Sequence, residues 1–160
     1  MRLLAIDPGY ERLGIAILEK NSGDRKEILI YSDCFKTSAK LPHAERLNLI
    51  GKEIKRVIEA FAPTALSIET LFFSVNTKTA LTVAEARGVI LYEAASAGLS
   101  IYECNPMEIK VAVTGYGKSD KKDIIKMVPI LVAISKEINH DDEYDAIAAG
   151  LTYFATNKIT

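Results

Sequence analysis

Four carboxylates stand where a folded chain could put them to use. Asp7 closes the apolar run 3–6, and Pro8-Gly9 turns the chain away directly behind it. A strand buried on both faces accepts a carboxylate only at its end, where a turn opens the backbone to water, a metal or a substrate. Glu69 repeats the pattern after the short apolar run 65–68. Asp142 and Asp145 lie three residues apart at the start of the last helical segment, so both project from one helix face near its N-terminus. Each position also has a plain structural reading, since Asp-Pro-Gly is an ordinary turn composition and acids suit the first turn of a helix. Together they say more. If the first and fourth strands are neighbours and the last helix packs beside them, all four acids meet. At about 5 Å and an effective dielectric near 20, each like-charge pair then costs roughly 3 kcal/mol. Such a cluster calls for cations. Oxygen-only donors with no nearby Cys or clustered His select Mg²⁺ or Mn²⁺ over zinc. Two such ions roughly 3.5 to 4 Å apart can activate a water and stabilise the leaving oxygen in an in-line attack on a phosphodiester.

The rest of the composition sets bounds. With 160 residues, 49% of them hydrophobic, the chain reads as one domain spanning 1–160 with one sizeable core. No apolar stretch approaches the roughly 18 residues of a membrane span, and the N-terminus lacks the regions of a signal peptide, so a cytoplasmic protein is expected. Cys34 and Cys104 are too few and too far apart for a disulfide framework or a zinc site, and neither is assigned a role. A net charge of −1 does not advertise a polyanion binder, although two divalent ions would bring it to +3. The most basic stretch runs from 110 to 126, where Lys110, Lys118, Lys121, Lys122 and Lys126 face only Asp120 and Asp123. On charge alone it is either a solubilising surface or a phosphate-binding one. Gly115-Tyr116-Gly117 within it could let the chain approach a phosphate closely. His140 is either a loop residue or a group near the metals.

The elements that must position these residues follow from periodicity. Residues 2–7, 13–19 and 27–33 predict a three-strand meander with a hairpin turn at 21–24, and 43–61 a helix with an apolar stripe. Strand 65–68 follows, then a helix over 76–97 with Ala80, Ala84, Gly88, Leu91 and Ala95 along one side, suited to close packing against the sheet or a second subunit. Strand 100–104 leads into a short helix entered at Asn105-Pro106, and Ser119 opens another that Pro129 should end or kink. A last helix starts within Asn139-His140-Asp141-Asp142, with Asp141 as the expected N-cap, and runs to about 156. Strands first, then helices alternating with two further strands, predict an α/β domain with a five-stranded mixed sheet flanked by helices, in the order of the ribonuclease H-like fold.

Four motifs, Ile6-Asp7-Pro8-Gly9, Ile68-Glu69-Thr70-Leu71-Phe72-Phe73, Ala86-Arg87-Gly88-Val89 and Asp142-Glu143-Tyr144-Asp145-Ala146, follow one another over nearly the whole chain. In that order the sequence resembles the RuvC-type crossover junction endodeoxyribonucleases, the Holliday junction resolvases of recombination and DNA repair. The resemblance implies that Asp7, Glu69, Asp142 and Asp145 bind two catalytic Mg²⁺ ions, for which Mn²⁺ can substitute. It also implies paired symmetric cuts in a four-way DNA junction that leave 5′-phosphate and 3′-hydroxyl ends. A homodimer on the small-residue side of helix 76–97 and a RuvAB branch-migration complex as partner are implied too. Lys110 and Lys121 would hold the backbone or assist the scissile phosphate, with Lys118 and Lys122 as further DNA contacts. Phe72 and Phe73 cannot both face inward on a strand. They either cap the core or, as the resemblance implies, place a ring against the bases at the junction centre.

Three rivals stand beside this reading. Asp7 to Gly14 with Arg12 is also similar to the first motif of the YqgF-type nucleases of ribosomal RNA, which Phe72-Phe73 and the extra length disfavour. An actin-like or sugar-kinase-like ATP binder would need a second domain to close over the nucleotide. A non-catalytic junction-binding module would have no use for an intact acid tetrad.

Overall fold

The computed structural model describes residues 1–71 and 77–157. Its strands are β1 (Arg2–Asp7), β2 (Arg12–Glu19), β3 (Ile28–Lys36), β4 (Ala65–Glu69) and β5 (Ser100–Cys104), and they form one sheet in the order β3-β2-β1-β4-β5. The first three make an antiparallel meander, and β4 and β5 add parallel to β1. Parallel neighbours need a crossover, supplied here by α1 (His43–Phe61) and α2 (Thr77–Ser96). After β5 come α3 (Pro106–Thr114), α4 (Lys121–Leu131) and α5 (Asp141–Thr156).

The two-residue period of the strands divides the core. Leu4, Ile6, Ile15, Ile17, Leu66 and Ile68 face α1 and α2, where Ile50, Ile54 and Val57 meet them. Leu3, Ala5, Ala16 and Leu18 face the other way, toward α3, α4 and α5. That second face is built for close approach. A Cβ added at Gly150 would lie 2.6 Å from a Leu18 methyl and 3.0 Å from Ala5 Cβ, and Ser67 Oγ donates to the Ala149 carbonyl at 2.7 Å. Small residues on both partners therefore bring α5 down onto β1, β2 and β4, which carries its N-terminus to the strand ends bearing Asp7 and Glu69.

Several local expectations need correcting. Pro129 neither ends nor interrupts its helix, because α4 runs on to Leu131 with Val132 N–H bonded to Val128 O at 3.0 Å. Pro129 sits in the exposed last turn, where its missing N–H costs one solvent-side bond instead of the whole helix. The N-cap of α4 is Asp120, in a reciprocal capping box with Asp123, and the N-cap of α5 is His140 in place of Asp141. β3 continues to Lys36, beyond the expected 33, because Asp33, Cys34, Phe35 and Lys36 all pair with β2. On α2 the sheet-facing residues are the buried Ala86, Ile90 and Ala94, so the small-residue stripe is not the sheet side: Gly88 and Ala95 lie exposed.

Candidate active site

Asp7 ends β1 opposite Gly14 of β2, and Glu69 ends β4 one strand away. The first turn of α5 lies over this end of the sheet, and Gly14 allows it. A side chain there would place Cβ 2.1 Å from the Asp142 carbonyl oxygen and 3.1 Å from Asp7 Cβ. The loop behind Asp7 is braced by the buried Arg46 of α1, which donates to Thr37 Oγ1 at 2.9 Å and to Tyr10 O at 3.4 Å and stacks on the Tyr10 ring. Arg87 of α2 holds the other strand end by donating to Glu69 O at 3.1 Å while paired with Glu103.

Asp7 is brought within electrostatic reach of the other three predicted acids, and Asp145 within reach of Glu69 and Asp142. Burial, then the charges of Glu69, Asp145 and Asp142, push the Asp7 carboxyl up to about 8 against a slight pull down from Lys121. Burial and Asp145 push Glu69 up to about 7, opposed by Lys110 and Lys121. Asp145 is raised as well, mainly by burial, while Lys121 holds it down. Besides Lys110, two basic side chains pair directly with the acids. Arg12 pairs with Asp142, which also accepts from Cys34 Sγ at 3.5 Å, and Lys121 Nζ lies 2.9 Å from Asp145 and 3.6 Å from Asp141. Burial pulls Lys121 down, but its bond to Asp145 and the surrounding aspartates outweigh that and hold it above its ordinary value. With Asp142 and Asp145 turned to these partners, no three acidic, His or Cys side chains form a ready-made cage among the described residues. The donor set itself suits hard cations. It is all carboxylate oxygen and partly buried, and burial and mutual repulsion disfavour the charged forms of Asp7, Glu69 and Asp145, a cost that a bound cation would offset.

Glu69 and Asp145 open into a cleft of about 260 Å³ between α3 and α4, whose other walls include Lys110, Lys121, Ile109 and Ile124. Lys110 and Lys121 thus stand with the acids, whereas Lys118 and Lys122 are exposed on the chain leading into and opening α4. Phe72 and Phe73 lie outside the described residues. His140 is turned to Lys36, with Nε2 3.2 Å from its Nζ.

Besides Arg46, Arg87 and Cys34, two further contributors have tasks that the sequence reading does not assign. Gly14 reads there as one more apolar-run residue, and only the docking of α5 gives it a task. Glu143 reads as one acid among many, yet it is 3% exposed and accepts from Ser32 Oγ at 2.6 Å, Lys136 Nζ at 2.7 Å and Asn139 N–H at 3.3 Å. Burial alone would raise its carboxyl, but these bonds outweigh it and hold it below the ordinary range. Glu143 thereby ties the first turn of α5, with Asp142 beside it, to β3 and to the 132–140 connection.

This strand order, with paired strand-end acids under a helix N-terminus, is that of the ribonuclease H-like class of α/β nucleases. Residues 3–153 match the family described as crossover junction endodeoxyribonuclease RuvC. The enzyme of that name from Caldicellulosiruptor saccharolyticus is 39% identical over 158 residues, covering 99% of this chain and 95% of its own. The solved Thermus thermophilus RuvC superposes with a TM-score of 0.87 at 30% identity, covering 97% of this chain and 94% of that one. The same protein in complex with a Holliday junction substrate gives 0.88 at 31% identity, with 96% and 92% covered. The chain belongs to the RuvC family of crossover junction endodeoxyribonucleases, whose members are metal-dependent nucleases.

Proposed function

We propose that this protein, as a single nuclease domain over 1–160, resolves Holliday junctions in recombination and repair by paired, symmetric phosphodiester hydrolysis. The observation that carries the reading is the convergence of Glu69, Asp142 and Asp145 on Asp7, from two parallel strand ends and one helix turn, with Glu69 and Asp145 facing Lys110 and Lys121 across an open cleft. These four carboxylates would hold two Mg²⁺ ions, with Mn²⁺ as a substitute; bound there, such ions supply Lewis acidity, a more acidic water and charge neutralisation at phosphorus. The chain's own groups prepare the substrate. Lys110 and Lys121 offset the negative charge of the entering phosphate, and Lys121 can leave Asp145 to do so. Arg12 and Cys34 fix the Asp142 carboxylate, and Arg87 fixes the backbone of Glu69. In the reaction a water oxygen bonds to phosphorus and loses a proton to solvent, the P–O3′ bond breaks, and the departing O3′ takes up a proton from solvent, leaving a 3′-hydroxyl and a 5′-phosphate.

A four-way junction has two-fold symmetry and needs two matched cuts, which calls for a C2 homodimer. The outward face of α2, with exposed Leu81, Gly88, Tyr92 and Ala95, is the surface we assign to it. Phe72 and Phe73, Lys118 and Lys122 complete the DNA-contacting set, with a RuvAB complex as partner in the cytoplasm. Among the described residues no helix is long and apolar enough to cross a membrane.

The test is a Mg²⁺ cleavage assay on a labelled four-way junction, a matched linear duplex and a structured RNA. Paired nicks in the junction alone, lost with Asp7→Asn, support the reading. RNA cut with the junction untouched moves the chain to the ribosomal-RNA nucleases, and no cleavage of any substrate leaves a binding module.

A further inference from the structure

Between α3 and α4 stands an aromatic side chain that the site above does not use. Tyr116 is 60% exposed, and among the described residues no hydrogen bond or ring contact holds its phenol. Its backbone, by contrast, is firmly held. Gly115 ends α3 with a φ of 77°, a conformation that favours glycine. Thr114 Oγ1 accepts from Tyr116 N–H at 3.1 Å, and Ser119 N–H donates to Tyr116 O at 3.1 Å. The turn is thus a fixed mount for a ring left in solvent, where a large apolar surface gains nothing by itself.

The surroundings say what such a ring could meet. The turn folds against α3, since a Cβ at Gly117 would lie 3.1 Å from Met107 Cγ and 3.4 Å from Val111 Cγ2. Met107 and Val111 are themselves 66% and 51% exposed, one helical turn apart. On the same helix Lys110 stands three residues on from Met107, within side-chain reach of it, and lines the cleft that holds Glu69 and Asp145. Lys110 thus links the acid cleft to the Met107 end of the strip on which the turn rests, and Lys118, Lys121 and Lys122 are exposed on the chain that follows the turn. Apolar floor and ring with ammonium groups at the edge match an unstacked nucleotide, its base on the ring and its phosphate on a lysine.

We infer that Tyr116 stacks on a nucleobase flanking the cleaved phosphodiester, over a floor of Met107 and Val111, with Lys118 toward the adjoining phosphate. This rests on the nuclease reading proposed above. The experiment is single-turnover cleavage of a four-way junction at increasing protein concentration, with 2-aminopurine next to the cut bond as a stacking probe. For Tyr116→Ala the half-saturating concentration rises about tenfold, Tyr116→Phe and Tyr116→Trp restore it, and the slope of affinity against salt is unchanged because no phosphate contact is lost. Wild type quenches the 2-aminopurine and Tyr116→Ala does not. The inference is overturned if Tyr116→Ala saturates like wild type, or if Phe fails to rescue, either of which would leave the strip as a protein-docking surface or a passive turn. Wild-type protein that cuts no junction overturns the nuclease reading itself, and that outcome is visible before any variant is made.

Discussion

Asp7 shows how one residue links stability to function. Its carboxyl is held near pH 8 by burial and three acidic neighbours, and that of Glu69 near 7. Both folded values exceed those of an unfolded chain, so between about pH 4 and 8 the folded protein binds the extra protons and loses stability as pH rises. In EDTA, the Tm of wild type relative to Asp7→Asn falls across this window, because the variant has no charge to place there; thermal melts at half-unit pH steps check it. Added Mg²⁺ raises the wild-type Tm more at pH 8 than at pH 5, where protonated acids compete with the ion. For catalysis the same substitution loses at least about 10³-fold in the single-turnover rate, since removing a ligand forfeits several kcal/mol of transition-state stabilisation.

At the scale of elements, α5 decides the geometry of the site. Its first turn is pinned on one side by the absence of a side chain at Gly14 and on the other by Glu143 bonded to Ser32 and Lys136. Gly14→Ala forces the Asp142 backbone away from β2, and urea melts register a loss of about 1–3 kcal/mol from overpacking. Cleavage falls further than the stability loss explains, because Asp142 moves off Asp7. Glu143→Ala strips the bonds of a buried carboxylate while Lys136 can still reach water, so the expected loss is about 1–3 kcal/mol. Its cleavage requires more Mg²⁺ for half-maximal rate, which a Mg²⁺ titration at saturating junction reads directly.

The whole molecule must deliver two cuts. Gly88 lies on the outward face of α2, where an added Cβ meets nothing within 4 Å. Gly88→Arg therefore suits the isolated helix better by about 1 kcal/mol, yet sets a charge in the interface assigned to α2. Sedimentation velocity then shows a folded monomer, and the variant leaves single nicks where wild type leaves paired ones. An unchanged dimer would place the two-fold axis on another face.

Much of this architecture is legible in the chain. Strand ends at Asp7 and Glu69, the helix bearing Asp142 and Asp145, and the sheet class follow from local rules, because apolar periodicity and turn residues act over a few neighbours. The termini of α4 and α5 are less legible, since Ser119, Asp120, His140 and Asp141 are all plausible caps and packing chooses among them. The tasks of Gly14, Glu143, Arg46 and Arg87 are not legible at all. Each depends on a contact with a residue far along the chain, such as Gly14 under Asp142 or Ser32 against Glu143. The sequence by itself thus determined which residue types reach the end of the sheet. Only the tertiary structure decided how closely α5 descends on it and which cations face which acids, because those depend on side-chain volumes meeting across separate elements.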